Sequence, residues 1–290
     1  MRTDGVVGLA PDKKDNGPSF LASLRDKKLI DRLQVGVLMT ANGAQSSKMT
    51  FGGADQSLML PFPSANDRKF YNYDNINDDK EWGTEVRNIY IGNSTHNFSI
   101  DSGKLTYAKV DTFSPYIQLP IENFRKYKEY LNKTHPEMIC LGDYPIVSIC
   151  YIPDKKCEDI VKNFQNITIR FNDTLGFHLP PKSYLKTEAQ SGGKSNCYSM
   201  IIYSSVYDSI VLGDVFLENY YTVYDFDNTT ISFNGWVEGN LVIEQSRKGK
   251  LGTIIIVILI CVVLVGAGAG AVIIIKKRNQ NLQMNLTKQH

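Results

Sequence analysis

Three carboxylates in this sequence sit beside residues that build tight turns: Asp101 in Asp101-Ser102-Gly103, Asp111 in Asp111-Thr112-Phe113-Ser114, and Asp214 in the stretch LGDVF. A carboxylate fixed on such a turn can take a proton from water, and two that share one proton can act together as acid and base. The three differ in setting. Asp111 closes the strand-like run LTYAKVDT and leads into YIQLP and a helix beginning at Ile121, whereas Asp101 has neither an apolar strand before it nor that helix close behind. Asp101 therefore reads as a chance triplet. Asp214, taken alone, lies at a Gly/Asp turn between two buried strands.

The other reactive side chains are cysteines. Cys140, Cys150, Cys157 and Cys197 cluster before residue 251, and Cys261 stands apart inside an apolar run. No C-x-x-C spacing suggests zinc, so the sequence predicts no metal and two disulfides. Four cysteines allow three pairings, of which the neighbour pairing, Cys140 with Cys150 and Cys157 with Cys197, is expected. Closing the longer loop would stabilise the fold by roughly 3 to 4 kcal/mol on the chain-entropy model.

The elements that must position these residues read mostly as strands. DGVVGLAP reads as a short strand with a Gly/Pro turn and SFLASLRDKKLID as a helix; LQVGVLMT and KMTFGGAD read as a hairpin. A polar, Asn/Asp-rich connection covers 64–80. Beyond it, EVRNIYIG, NFSI, LTYAKVDT, YIQLP, NITIRFN, LGFHLP, CYSMII, SIVLGDVFL, YYTVYDF and TISF read as strands, interrupted by one helix over 121–131. Aromatics make up 11% of the chain, many of them tyrosines beside β-branched residues, as in strand-rich proteins. Thirty-two basic against thirty acidic residues, with no basic stripe, exclude a nucleic-acid partner.

Residues 251–275 carry no charge and lie between Arg247, Lys248, Lys250 and Lys276, Lys277, Arg278. As a helix they would reach roughly 37 Å, enough to cross a lipid bilayer. Residues 237–250 then form a juxtamembrane stalk and 276–290 a cytoplasmic tail, which continues past the apolar run and so excludes a lipid-anchor signal. Asn-X-Ser/Thr sequons begin at Asn93, Asn97, Asn132, Asn166, Asn172 and Asn228, where about three would arise by chance. They place the larger part in a lumenal or extracellular compartment. No apolar signal segment follows Met1, so the sequence is expected to be a piece of a longer protein. Gly266 and Gly270 form a G-x-x-x-G through which two spans could approach, and self-pairing would then bring two copies of Asp111 together.

Four segments, in order, resemble the pepsin family of aspartic proteases. Asp4 to Pro11 (DGVVGLAP) is similar to the strand that closes that family's first lobe, and Phe51-Gly52-Gly53 with Asp55 to the TFGGxD strand entering the second. Val110 to Pro120 (VDTFSPYIQLP) is similar to the second active-site loop, and Ile210 to Asp225 (IVLGDVFLENYYTVYD) to the closing ILGDxFLRxYYxVFD signature.

The resemblance implies a mostly β fold: a pepsin-like aspartic protease lobe (acid-protease barrel) with a few short helices, here followed by one transmembrane helix. It divides the chain into a first-lobe remnant (1–63), a connection (64–80) and the second lobe (81–236). It implies an aspartic endopeptidase acting on polypeptides without a cofactor, with Asp111 as the second lobe's catalytic carboxylate. Thr112 would grip the opposing loop, and the Ser114 hydroxyl would bond the carboxylate. Asp214 would be structural, with Gly213 letting two chains cross. Two departures stand out. Phe113 replaces the family's Gly, whose backbone N–H lies against the carboxylate without crowding the cleft and which tolerates dihedrals that Phe resists. No D-T-G-S or D-S-G-S precedes Asp4, so the first catalytic lobe is expected to be absent. Phe113 also motivates an alternative, a catalytically inactive glycoprotein that uses the old cleft as a surface binding module.

Overall fold

The first element of the protein's computed structural model is helix α1 (Phe20–Asp26), which buries Leu21. The structure describes residues 7–11, 20–40, 46–59, 69–76, 81–92, 106–141, 147–205, 209–235 and 237–239. Asn93, Asn97, Asp101, Cys261 and the apolar run 251–275 with Gly266 and Gly270 lie outside the described residues. Among the described residues no helix is long and apolar enough to cross a membrane.

The hairpin predicted after α1 is β1 (Gln34–Leu38) and β2 (Lys48–Phe51), paired antiparallel from Val35 opposite Phe51 to Leu38 opposite Lys48. β3 (Tyr71–Asp74) falls inside the stretch read as a polar connection. There Tyr71 and Tyr73 are half-buried while Asn72 and Asp74 are exposed, a period-2 pattern concealed by its Asn/Asp-rich surroundings. The run EVRNIYIG is two strands, β4 (Gly83–Val86) and β5 (Asn88–Ile91), which enter different sheets. β6 (Thr106–Val110) and β7 (Ile117–Leu119) flank the Asp111 loop.

Helix α2 (Ile121–Thr134) follows Pro120 and buries Phe124, Tyr127 and Leu131 on one face at spacings of three and four. It ends at His135, where Pro136 disfavours a further helical residue. β8 (Ile139–Leu141) and β9 (Val147–Ile152) face each other, and α3 (Cys157–Ile160) precedes β10 (Ile167–Arg170) and β11 (Leu175–Leu179). Short helix α4 (Pro181–Tyr184) leads into β12 (Leu185–Ala189), β13 (Ser195–Ser199) and β14 (Ile201–Ser204). β15 (Ile210–Leu212) is followed by one helical turn, α5 (Asp214–Leu217), where the sequence predicts continuing strand. β16 (Tyr220–Asp225), β17 (Thr230–Gly235) and β18 (Val237–Gly239) close the unit.

Among the described residues the strands form three sheets. One runs β2-β1-β16-β17-β3, with β16 buried along its whole length between β1 and β17. A second runs β18-β11-β10-β5; the residues Val237–Gly239, read from sequence as the start of a stalk, are its edge strand. The largest runs β12-β13-β9-β14-β7-β15-β6-β4, with β8 on β9. Val7 to Pro11, the described part of the first expected strand, is not a strand, though its Leu9 carbonyl accepts the Trp82 indole N–H at 2.7 Å.

Phe171, Phe177, Phe216, Tyr220 and Phe233 form an aromatic core, with ring centroids 4.7 Å apart for Phe216 and Tyr220 and 5.2 Å for Phe216 and Phe233. Burying each such ring stabilises the fold by about 1.5 to 3 kcal/mol before edge-to-face gains. α5 therefore anchors its turn to the core through Phe216, and that turn meets the Asp111 loop. Disulfides join Cys140 to Cys150, directly opposite on β8 and β9, and Cys157 at the start of α3 to Cys197 on β13. This is the neighbour pairing.

Candidate active site

Asp111 stands where β6 ends. β15 lies between the two strands that its loop connects, parallel to β6 (Leu212 opposite Val110) and antiparallel to β7 (Leu212 opposite Ile117). The loop 111–116 must therefore cross the end of β15, and the chain leaving β15 must pass beneath it. The Asp111 amide donates to the Leu212 carbonyl at 3.1 Å, the Gly213 amide to Tyr116 O at 3.1 Å and the Asp214 amide to Ser114 O at 2.8 Å. A Cβ on Gly213 would fall on the Ser114 carbonyl oxygen and lie 2.6 Å from Tyr116 O. Only glycine allows the two chains to pass this closely.

Around the Asp111 carboxylate, Oδ1 accepts the backbone N–H of Phe113 at 2.9 Å. Oδ2 is 3.0 Å from Lys109 Nζ, which also lies 3.2 Å from Glu81 Oε2. Glu81 Oε1 accepts the Tyr107 hydroxyl at 2.9 Å. Tyr107, Lys109 and Asp111 alternate along one strand, so their side chains share a face while Ala108 and Val110 point into the core. Burial works against a charge on Lys109, but hydrogen bonding and attraction from Asp111 and then Glu81 outweigh it and hold the ammonium above the ordinary lysine range. This network is absent from the motif reading; the i, i+2 spacing of Lys109 and Asp111 on a strand was the available signal.

On the other side of the loop, burial pushes the Asp214 carboxyl up to about 6, with Glu218 and Asp111 adding repulsion and Lys186 opposing them. Its Oδ1 is buried with no hydrogen-bond partner among the described residues. The buried Tyr224 phenol faces both aspartates: burial first, then their charges, raises it well above the usual tyrosine range.

A family profile described as eukaryotic aspartyl protease matches residues 1–235. The chain belongs to the eukaryotic aspartyl protease family. It is 25% identical over 234 residues to a probable aspartic-type endopeptidase CTSD of Arthroderma otae, covering 79% of this chain and 54% of that protein. It is 24% identical to cathepsin D of Dictyostelium discoideum (81% and 56% covered) and 23% identical to gastricsin of Callithrix jacchus (79% and 54% covered). The chain spans about half the length of these curated relatives.

Two expectations drawn from the aspartyl protease resemblance are corrected by the geometry. Ser114 does not bond the carboxylate. It is buried, its hydroxyl donating to Tyr116 O at 3.3 Å and accepting from the Tyr116 amide and from Gln118 Nε2 at 3.1 Å. The loop turns inward there, and the oxygens of Asp111 are served by Phe113 N–H and Lys109 instead. Nor does Phe113 strain the loop: the non-glycine residues with positive φ, among those described, are Lys28, Asp154 and Thr229. Phe113 supplies the backbone N–H that the family's glycine supplies, and its side chain is 89% exposed. Thr112 is exposed on the same loop.

The described sequons occupy different settings. Asn132 is exposed on α2, and Asn228 is exposed in the β16–β17 turn with Nδ2 donating to Asp225 Oδ2 at 2.8 Å. Asn166 is half-buried before β10, and its sequon's Thr168 is buried against His178 Nδ1 at 2.9 Å. Asn172 is half-buried, its Oδ1 accepting from the amides of Thr174 and Leu175.

Proposed function

We propose that this protein is an aspartic-type endopeptidase in which Asp111 is one of two carboxyl groups that cleave polypeptide substrates. The observation that carries the reading is Asp111 itself, fixed by Phe113 N–H at the tip of a crossed loop yet still reached by solvent. The second carboxyl group is supplied by polypeptide outside the described residues; the chain's span of about half its relatives supports this. One carboxylate, ionised, takes a proton from water as the water oxygen bonds to the scissile carbonyl carbon. The other, protonated, gives its proton to the carbonyl oxygen. When the gem-diol collapses, the proton gained by the first passes to the leaving nitrogen, a diol hydroxyl returns a proton to the second, and the C–N bond breaks.

The proposal includes a single membrane-spanning helix over 251–275, supported by an uncharged stretch of that length between basic flanks. It places residues 1–250 on the lumenal or extracellular side, supported by two disulfides and by candidate glycan acceptors at Asn93, Asn97, Asn132, Asn166, Asn172 and Asn228.

The test is peptide cleavage by the native-length protein isolated in detergent. Pepstatin-sensitive hydrolysis with an optimum between about pH 3 and 6 is the predicted result, because one proton must be shared by the pair. No pepstatin-sensitive cleavage in that range would sink the reading.

A further inference from the structure

Among the described residues Phe113 is the most exposed large apolar side chain, at 89%, with Leu29 next at 67%. The exposed rings of Phe20 and Phe51, by contrast, lie edge to face with centroids 5.5 Å apart. The backbone under Phe113 is tied down on both sides. The Asp111 amide donates to Leu212 O at 3.1 Å, the Ser114 amide to Asp111 O at 3.3 Å, and Ser114 O accepts the Asp214 amide at 2.8 Å. Phe113 N–H itself serves Asp111 Oδ1 at 2.9 Å.

An extended polypeptide advances about 3.3 Å per residue. A peptide bond brought within hydrogen-bond reach of Asp111 therefore carries its neighbouring side chains past residue 113. The loop they meet is uncharged: Thr112, Phe113 and Pro115 are exposed, and Tyr116 is half-buried. A ring held in water on a fixed base has little backbone freedom to lose when it is covered, so little of the gain from its burial is offset. A second ring against it adds an edge-to-face gain that an aliphatic side chain lacks.

Resting on the reading of Asp111 as a peptidase carboxylate, we propose that Phe113 contacts the substrate and selects polypeptides with an aromatic side chain within two residues of the bond cleaved. Its backbone N–H holds the carboxylate, and its ring reads the sequence. Substitution separates the two tasks, because only the second depends on the side chain. The selection is made in binding. The ring has no proton to transfer, so it lowers KM for aromatic substrates and leaves kcat nearly as it was.

The experiment compares the native-length protein with its Phe113→Leu and Phe113→Trp variants, on peptides that carry Phe, Leu or Ala at each of the two positions on either side of the cleaved bond. At one of these positions the parent is predicted to show a KM roughly tenfold lower for Phe than for Ala, and lower for Phe than for Leu. Phe113→Leu should lose the preference for Phe over Leu, and Phe113→Trp should keep it. The second readout is the indole emission of Phe113→Trp, which should move to the blue, beyond any change in the parent, with an analogue of the Phe peptide whose scissile amide is reduced to a methylene amine. The matching Ala analogue should leave it in place. Equal KM ratios in all three proteins would overturn the proposal. So would a lowered Tm in Phe113→Leu with the ratios unchanged, which would mean that the ring packs against the rest of the protein. If none of the three cleaves peptides, the peptidase reading fails and the emission decides alone: a shift with the Phe analogue supports contact at residue 113, and no shift overturns it.

Discussion

The backbone N–H of Phe113 lies 2.9 Å from Asp111 Oδ1, while the Phe113 ring is 89% exposed. The carboxylate is held by an atom that every residue except proline possesses. The ring is open to solvent among the described residues.

Replacing Phe113 with Gly should therefore change the chemical step little. The expected result is a kcat within about fivefold of the parent, a difference of roughly 1 kcal/mol in barrier, with any larger effect confined to KM. A hundredfold gain in kcat would show instead that the ring obstructs the reacting centre. Steady-state kinetics on one peptide decides between them.

Gly213 makes the opposite prediction. Its missing Cβ is what lets the chain after β15 pass under the Ser114 carbonyl, so Gly213→Ala forces backbone apart in a packed region. The expected loss is about 3 kcal/mol or more, within the range for overpacked sites. Urea unfolding of both proteins measures it. An unchanged midpoint would mean that the crossing is looser than described.

The Asp214 carboxyl yields a pH dependence with a definite sign. Burial raises it to about 6 in the fold from 3.8. Between those values the folded protein binds the extra proton, so this group's contribution to stability is full below the lower value and is lost as pH rises through the upper one. After discounting for its partial exposure, about 1 to 2 kcal/mol is at stake. Thermal unfolding should show the parent losing stability relative to Asp214→Asn between pH 4 and 6. Parallel curves would contradict the assignment.

What the sequence disclosed followed from local signals. Phe124, Tyr127 and Leu131 at helical spacing located α2, and the helix runs only three residues beyond the predicted end. The Asp111 and LGDVF segments were legible because turn residues interrupt apolar runs, though the helical turn of α5 was read as strand. β3, β8, β9, β12 and β18 were missed. β3 is only four residues long in an Asn/Asp-rich stretch, and three-residue β8 is set beside β9 by pairing that no local pattern announces. The Ser114 role failed because the resemblance fixed a residue type without fixing the direction of its hydroxyl. Glu81 was invisible because it approaches Lys109 through the antiparallel pairing of β4 with β6, a tertiary fact.

The most direct measurement is peptide hydrolysis by the native-length protein and its Asp111→Asn variant, with Asp101→Asn as a control on the other triplet. The account predicts that Asp111→Asn lowers kcat/KM by at least about a thousandfold, as removing half of an acid–base pair should, while Asp101→Asn leaves it unchanged. Full activity in Asp111→Asn would contradict the central claim.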